Sequence, residues 1–361
     1  MLTLPSFAKI NLGLKIGPRR PDGFHELRTI YQTLALHDRI GVEVQAGSGV
    51  EIRCDDPRVP RDGSNTCWKI AESVMGAFPQ RPKPDADPGR HGAPEGAPLQ
   101  RKIIIEIEKH LPVQGGLGAA SSNAVVTMLA MERALNIELS QADKLRIAAE
   151  VGSDLPLFLI GGTVLGLGRG EEVYALPDLP TLDMVIVMPP VGVSTPRAFA
   201  QWDEVIAQQP ELTPFEGTGT INQPSKCVLD LLSEGFPWVE AVSNAGVKCG
   251  GEKAEPASGV PAVGGDRAET LLLDLVRTGI ENDFERVVFP EHPELREVKE
   301  LLQRAGAEYA SLSGSGSTLY GVFATPDDAS SAAERMRAAG HAAVATRSLA
   351  RQDYWTAVAS S

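Results

Sequence analysis

Residues 111–124 of this chain read LPVQGGLGAASSNA and join two segments of different periodicity. The apolar run at residues 102–108 predicts a strand, and Val125, Met128 and Leu129 recur at helical spacing. Glycines in such a connection let backbone N–H groups approach a ligand closely, and a helix N-terminus adds partial positive charge. The stretch therefore predicts an anion site, most often one for phosphate. A plain tight connection between strand and helix is the alternative.

Two common kinds of phosphate loop do not match these residues. A Walker A loop needs a lysine after its glycines, and residues 111–124 contain none. A dinucleotide-binding loop needs a third glycine at the position where this chain has Ser121. Such a loop also follows the first strand of its domain, whereas the loop of this chain begins after residue 110. The hydroxyls of Ser121 and Ser122 remain as groups that can donate to phosphate oxygens or bind a magnesium ion.

Further segments carry polar and charged residues in a recognisable order. Residues 7–27 contain FAKINLGL and then RRPDGFHEL, residues 151–158 read VGSDLPLF, residues 281–285 read ENDFE, and residues 310–321 read ASLSGSGSTLYG. Together with the phosphate loop, these segments resemble the GHMP kinase superfamily and, within it, the family of 4-diphosphocytidyl-2-C-methyl-D-erythritol kinases. The resemblance extends over most of the chain, with two interruptions.

The resemblance implies an α+β, two-domain GHMP kinase fold. We expect an ATP-binding N-terminal domain like ribosomal protein S5 domain 2 over residues 1–177, and a C-terminal ferredoxin-like α/β sandwich over residues 178–361. The interruptions are interpreted as loop insertions. Residues 79–100 hold six prolines and three glycines, and residues 243–268 are rich in glycine and poor in large apolar residues.

Periodicity predicts the main elements of both domains. It indicates antiparallel strands within residues 1–55, and further strands at 102–108, 160–173, 184–188, 318–324 and 342–348. It indicates helices at 66–78, from the phosphate loop to 136, and at 141–151, 269–279, 294–305 and 326–339.

Asp154 and Lys9 are the candidate catalytic residues. Phosphoryl transfer gains from a carboxylate that takes the proton of the acceptor hydroxyl and from a cation that stabilises the developing oxyanion. From the residues alone, Asp154 could equally cap a helix, and Lys9 could be an outward-facing strand lysine. The resemblance implies that the two side chains pair as catalytic base and electrostatic partner.

Phe24 and His25 follow a predicted turn and are the candidate base-binding residues. An aromatic ring beside an imidazole can stack on a nucleobase and hydrogen-bond it, although packing is the commoner role of such a pair. The resemblance implies that Phe24, where the family has tyrosine, stacks on cytosine, that His25 bonds the base edge, and that Phe199 closes the sandwich. It also implies that Asn11 and Asp154 contact the substrate.

The resemblance assigns the ATP phosphates to the loop and its surroundings. The implied contacts come from Lys109, which could also be an ordinary strand-end lysine, and from Pro112, Val113, Gln114, Gly115, Gly116, Leu117, Gly118, Ala119, Ala120, Ser121 and Ser122. A second glycine-rich turn containing Gly314, Ser315 and Gly316 is expected to brace the loop. ATP is the implied co-substrate and Mg²⁺ the implied metal, with Ser121 or Ser122 as a candidate ligand.

Composition limits the partners. The chain has 361 residues, 42% of them hydrophobic, and its net charge of −13 argues against a nucleic-acid partner. The spacing of its four cysteines matches neither zinc nor redox motifs, and no apolar run reaches membrane length. With no recognisable signal peptide, we expect a cytoplasmic protein with reduced thiols and no membrane partner, acting as a monomer or weak homodimer.

The function that the resemblance implies is ATP-dependent phosphorylation of the 2-hydroxyl of 4-diphosphocytidyl-2-C-methyl-D-erythritol, in the non-mevalonate route to isoprenoids. The alternatives are another GHMP kinase, acting on homoserine, mevalonate or a sugar, a diphosphomevalonate decarboxylase of the same superfamily, and a nucleotide-binding regulator without catalysis. Residues 22–25 favour a cytidine-bearing acceptor, and the presence of both Lys9 and Asp154 argues against a non-catalytic regulator.

Overall fold

A computed structural model describes residues 1–77, 101–113, 115–208 and 281–360 of the chain. Gln114, the two predicted insertions, the predicted helix at 269–279 and two of the cysteines, Cys227 and Cys249, lie outside the described residues. The predictions made for them therefore stay predictions.

A long antiparallel hairpin forms the centre of the molecule. It consists of β1 (Leu2–Arg19) and β2 (His25–Ala46), joined by a short turn. The register shifts between Phe7 and Lys9 and again between Asn11 and Gly13. Such irregularities bend a strand and re-aim its side chains, and here they fall where β1 carries the predicted catalytic lysine.

The hairpin belongs to a six-stranded sheet with the order β3-β4-β2-β5-β6, in which β1 pairs with β2. The other strands are β3 (Gly49–Arg53), β4 (Arg101–Glu108), β5 (Thr163–Leu167) and β6 (Glu172–Ala175). Three helices accompany this sheet: α1 (Thr66–Ala77), α2 (Ala119–Leu135) and α3 (Gln141–Val151). The helix α2 contacts α1, β1 and β2 and buries residues on nearly all of its sides, because it lies inside this layer.

A second sheet contains four antiparallel strands in the order β10-β7-β9-β8. They are β7 (Asp183–Val187), β8 (Tyr309–Leu312), β9 (Leu319–Phe323) and β10 (Ala343–Arg347). The accompanying helices are α4 (Thr195–Gln208), α5 (Glu285–Glu291), α6 (Pro293–Arg304) and α7 (Pro326–Ala338).

The two layers are joined through the distal half of the hairpin. Leu14 and Ile16 of β1 lie in the same buried cluster as residues of the second sheet, and Leu14 forms a parallel bridge with Asn282. The last helix, α8 (Arg351–Ala359), returns to the first layer, where the hydroxyl of Tyr354 donates to the carbonyl of Phe158 at 2.8 Å. The first strand, β1, and the last helix, α8, therefore both contribute to the buried cluster of the first layer.

The α+β fold and its mixed sheets and helices are confirmed. Sequence periodicity missed β8 and the helices α4, α5 and α8, and the single strand that it indicated at 160–173 is divided into β5 and β6. Cys54 and Cys67 are buried free thiols, and burial raises the pKa of Cys67 to about 12. None of the helices in the described part of the chain combines the length and the hydropathy of a membrane-spanning segment.

Candidate active site

Lys9 and Asp154 meet at the edge of the first layer. The Lys9 ammonium lies 3.2 Å from Asp154 Oδ2 and donates to Asn11 Oδ1 at 2.8 Å. Lys9 is 3% exposed, so it is not an outward-facing strand lysine, and its charge needs the partners that it has. The Asp154 side chain is 36% exposed and can be reached from solvent.

Tyr31 fixes the other oxygen of the same carboxylate. Its hydroxyl donates to Asp154 Oδ1 at 3.0 Å, and burial, followed by the negative charge of Asp154, raises the pKa of Tyr31 well above its usual value. The phenol therefore stays a donor at any physiological pH. The short 3-10 helix Pro156–Leu159 begins after Asp154, with Leu155 at its N-cap position and no side-chain cap, so Asp154 does not cap it.

Asn11 links the Lys9 ammonium to Thr29 on the neighbouring strand β2. Its Nδ2 donates to the hydroxyl of Thr29 at 2.7 Å, which in turn donates to the carbonyl of Gly13. The amide oxygen is therefore directed at Lys9. A Cβ placed on Gly314 would lie 3.3 Å from Asn11 Oδ1, so the second glycine-rich turn lies directly beside this group of polar side chains.

The phosphate loop touches both the lysine and the second glycine-rich turn. The backbone N–H of Lys9 donates to the carbonyl of Leu117 at 2.9 Å. Gly118 has φ +67°, and a Cβ there would lie 2.9 Å from Lys9 Cγ. Gly116 has φ +79°, and a Cβ there would lie 2.4 Å from the carbonyl oxygen of Ser313. Only glycine combines these left-handed conformations with such close approaches.

The loop ends at an uncapped helix N-terminus. Gly118 is the N-cap residue of α2 and provides no side-chain cap, which leaves N–H groups of the first turn available to an anion. These residues line a cleft of about 330 Å³ together with residues of 58–67 and of the strand end at 107–109. Pro112, Val113, Ala119 and Ala120 also line it.

The two loop serines have different surroundings. Ser121 lines the cleft, whereas Ser122 is fully buried and its hydroxyl lies 2.8 Å from that of Ser6. Of the two candidate magnesium ligands, only Ser121 therefore lines the cleft. Among the described residues, no group of three or more His, Cys, Asp or Glu side chains could hold a metal ion.

Lys109 lines the same cleft, but its ammonium is paired with the carboxylate of Asp38. Asp38 is completely buried and also accepts from the backbone N–H groups of His110 and Leu111, at 2.7 and 2.8 Å, and from Asn123 Nδ2 at 3.0 Å. One carboxylate thus fixes the start of the phosphate loop and the first turn of α2. The proposed contact of Lys109 with nucleotide phosphates stays a prediction.

The second glycine-rich turn braces the loop through hydrogen bonds. The hydroxyl of Ser313 donates to the carbonyl of Gly116 at 2.9 Å, and the N–H of Thr318 donates to that of Gly115 at 3.2 Å. The turn is itself held by Asn282, whose Nδ2 donates to the carbonyls of Leu312 and Gly314, both at 2.8 Å. Of the three residues predicted to brace the loop, Ser315 bonds the hydroxyl of Thr195 at 2.7 Å, and Gly314 and Gly316 supply left-handed backbone.

The candidate base-binding residues do not form one open sandwich. His25 stacks on Phe199, with ring centroids 4.8 Å apart and planes 9° from parallel, and its Nε2 lies 2.7 Å from Asp203 Oδ1. Phe24 is 51% exposed, and the guanidinium of Arg169 lies 4.9 Å from the centroid of its ring. The structure therefore joins His25 to Phe199 and leaves Phe24 at the surface.

Comparison with known proteins gives a consistent result. Residues 90–162 match the GHMP kinases N terminal domain, and residues 268–342 match GHMP kinases C terminal. The chain is 31% identical over 349 residues to the 4-diphosphocytidyl-2-C-methyl-D-erythritol kinase of Moorella thermoacetica, covering 97% of this chain and 99% of that protein. The chain belongs to the 4-diphosphocytidyl-2-C-methyl-D-erythritol kinase family.

Solved structures agree with this family membership. A crystal structure of a 4-(cytidine 5'-diphospho)-2C-methyl-D-erythritol kinase superposes with a TM-score of 0.62 at 26% identity, covering 96% of this chain and 99% of that one. The homoserine kinase of Cytophaga hutchinsonii gives a TM-score of 0.56 at 18% identity, covering 96% of this chain and 95% of that one. The second likeness shows the shared fold alone.

For this member of the kinase family, sequence reasoning missed several residues that shape the site. The sequence predicted no role for Tyr31, Asp38 or Asp203, and Asp38 stands between the polar residues His37 and Arg39, so nothing in its local sequence marked it as buried. Asn282 lies in the segment 281–285, whose sequence predicted no role for it. Each of them acts through a partner distant in sequence, which local patterns do not reveal.

Proposed function

We propose that this chain transfers the γ-phosphoryl group of ATP to the 2-hydroxyl of 4-diphosphocytidyl-2-C-methyl-D-erythritol, a step of the non-mevalonate isoprenoid route. The observation that carries the proposal is that Lys9, which is ion-paired with Asp154, directly contacts the phosphate loop at Leu117 and Gly118. Membership of the family supports the choice of acceptor.

The nucleotide half of the site supports binding of ATP phosphates. The uncapped start of α2 offers N–H groups and partial positive charge. The loop is held from one side by Asp38 and from the other by Ser313 and Thr318. Because phosphoryl transfer depends mainly on alignment and electrostatic stabilisation, a loop fixed on both sides suits this reaction.

The chemical half of the site supports activation of an acceptor hydroxyl. The exposed carboxylate of Asp154 can accept the hydroxyl proton, while Tyr31 keeps its other oxygen in place. The buried ammonium of Lys9 lies close enough to stabilise an oxyanion that forms beside Asp154. We propose the role of catalytic base for Asp154 and that of electrostatic partner for Lys9.

Mg²⁺ would supply charge neutralisation between the phosphates when it is bound with ATP. We propose Ser121 as the ligand from this chain, since Ser121 lines the cleft whereas the hydroxyl of Ser122 is buried against Ser6. The described residues offer no acidic cluster at the cleft. Phosphate oxygens and water would therefore provide most of the coordination, as is usual for this ion.

The acceptor half of the site rests on Phe24, His25, Phe199 and Asn11. The exposed ring of Phe24 can stack on a base, and the stacked His25–Phe199 pair provides a flat, polar-edged surface near the start of β2. We propose that these residues bind the cytidine group and that Asn11 contacts the erythritol hydroxyls. We also propose a cytoplasmic monomer or weak homodimer without nucleic-acid partners, in keeping with the net charge of −13.

The test is acceptor competition with purified full-length chain, ATP and magnesium. We expect phosphorylation of 4-diphosphocytidyl-2-C-methyl-D-erythritol and little or none of methylerythritol phosphate, homoserine or mevalonate at equal concentration. Asp154→Asn serves as the inactive control. A preference for homoserine or mevalonate would contradict the acceptor assignment, and absence of ATP turnover with every acceptor would contradict the kinase assignment.

A further inference from the structure

One face of α4 holds the imidazole of His25 through two residues that are four positions apart. Phe199 stacks on the ring at 4.8 Å between centroids, and Asp203 Oδ1 lies 2.7 Å from Nε2. Residues four apart lie on the same face of a helix, so one element sets both the plane and the rotation of the imidazole. His25 itself is 6% exposed.

The helix that presents this face is anchored in the second layer. Ala198 and Trp202 of α4 are each 1% exposed and belong to the second buried cluster. Phe199 also meets Phe284 edge to face, with centroids 4.9 Å apart and planes at 74°. The packing of these neighbours sets the backbone position of Asp203, and its side chain, which is 42% exposed, reaches the imidazole from there.

This contact has a chemical consequence for the other ring nitrogen. The contact leaves the roles of the two atoms open by itself, but an ionised carboxylate can only accept, which makes Nε2–H of His25 the donor to Asp203 Oδ1. In a neutral imidazole the remaining nitrogen, Nδ1, is then an acceptor. Cytosine presents an exocyclic amino group, which donates, whereas uracil presents a carbonyl oxygen at the same position, which accepts.

We propose that Asp203 is a specificity-determining positioning residue that fixes the proton of His25 on Nε2, so that Nδ1 selects a base with an amino group over one with a carbonyl. The inference rests on the proposed function, because it assumes a cytidylyl acceptor. Asp203 acts through His25 and takes no part in the phosphoryl transfer itself.

Kinetics of Asp203→Asn and a matched control test the selection. Glu204→Gln removes the same charge from the next, exposed residue of α4. The acceptors are 4-diphosphocytidyl-2-C-methyl-D-erythritol and its uridine analogue. For Asp203→Asn we expect the acceptor KM to be about tenfold higher and the preference for cytidine over uridine to be about tenfold lower, which corresponds to the loss of one oriented hydrogen bond. The kcat and the KM for ATP should stay within about twofold of the wild-type values. Glu204→Gln should match the wild type.

A spectroscopic measurement tests the tautomer without turnover. The imidazole ¹⁵N shifts of the wild-type chain, with the His25 signals assigned from a His25→Gln variant, should show Nε2 protonated and Nδ1 unprotonated. In Asp203→Asn the amide can donate as well as accept, so we expect a mixture of tautomers. Glu204→Gln should leave the spectrum unchanged.

The outcomes separate this inference from the proposed function. Unchanged base preference and unchanged ¹⁵N shifts in Asp203→Asn would overturn the role of Asp203 while the kinase assignment stands. Equal losses in kcat, in the KM for ATP and in the acceptor KM would also overturn it, since they indicate a purely structural role. A wild-type chain that does not phosphorylate the cytidylyl acceptor would overturn the proposed function, and the base selection with it.

Discussion

The ammonium of Lys9 and the carboxylate of Asp154 lie 3.2 Å apart, yet they differ sharply in accessibility, with side chains 4% and 36% exposed. The lysine is enclosed by Asn11, the phosphate loop and the ring of Tyr31, whose centroid lies 5.3 Å from Nζ. The aspartate remains open to an acceptor. An ion pair with only a structural role does not need one buried and one accessible partner. A catalytic pair does, because the cation must be held in place while the base must be reached by the acceptor.

Asp154→Asn should keep the fold and ATP binding but lose most turnover, because the amide cannot accept the hydroxyl proton. General-base catalysis typically contributes about 10²- to 10⁴-fold, and we expect kcat to fall within that range. The measurement is steady-state turnover together with the Kd of ATP. Near-normal turnover would show that Asp154 is not the base.

Lys9→Ala should lower kcat more than it raises the acceptor KM. Its positive charge matters most when the acceptor oxygen becomes negative, so the loss falls on the transition state. Lys102→Ala is the control, since Lys102 forms a partly exposed ion pair with Glu51, and such pairs contribute only about 0–1 kcal/mol. A change confined to the acceptor KM would make Lys9 a binding cation only.

Gly116→Ala should abolish most ATP binding. The added Cβ would lie 2.4 Å from the carbonyl oxygen of Ser313 on a backbone with φ +79°, so the loop and its bracing turn must separate. Gly49→Ala is the matched control, because Gly49 has φ +90° and open space around the added Cβ. The control should cost only the local backbone strain, about 1–2 kcal/mol of unfolding free energy. Similar ATP affinities in both variants would contradict the packing of the loop.

Phe24→Ala should weaken the acceptor far more than it slows catalysis. Stacking of a base on an aromatic ring is worth about 1–3 kcal/mol, which corresponds to an acceptor KM roughly 5- to 150-fold higher. Leu145→Ala removes another exposed apolar side chain, 38% exposed on α3, and should change neither constant. An unchanged acceptor KM in Phe24→Ala would place the base elsewhere.

The free energy of unfolding should fall above about pH 10, because the tyrosines of the unfolded chain ionise there. Burial raises the pKa of Tyr31, Tyr320 and Tyr354 above the usual value, and that of Tyr309 to about 12. The folded state therefore holds protons that the unfolded state releases, and the stabilisation present below pH 10 is lost as the pH rises towards the folded-state pKa values.

Tyr354→Phe tests this pH dependence with one group. We expect the fall in unfolding free energy above pH 10 to become shallower by about 1.4 kcal/mol per pH unit. Loss of the hydrogen bond to Phe158 should lower stability at neutral pH by about 1 kcal/mol. Urea unfolding between pH 8 and 11 measures both effects, and an unchanged alkaline slope would contradict the raised pKa of Tyr354.

Much of the fold could be predicted from the sequence because hydrophobic periodicity is a local property of each segment. The strand before the phosphate loop, the helix after it and the strands at 184–188 and 342–348 were all located within a few residues. Periodicity missed the helix α4, although its buried residues Ala198 and Trp202 are spaced as on one face of a helix. Its partners are His25 and Phe284, which only the folded chain brings near.

The sequence by itself predicted the phosphate loop, showed the order of the motifs and offered Lys9 and Asp154 as candidates. Only the tertiary structure decided that these two side chains meet, that Lys109 is paired with Asp38, and that His25 stacks on Phe199. The tertiary structure also decided which of the adjacent residues Ser121 and Ser122 lines the cleft. Consecutive residues of a helix point about 100° apart, and the packing of α2 against β1 and β2 turns Ser121 to the cleft and Ser122 into the core.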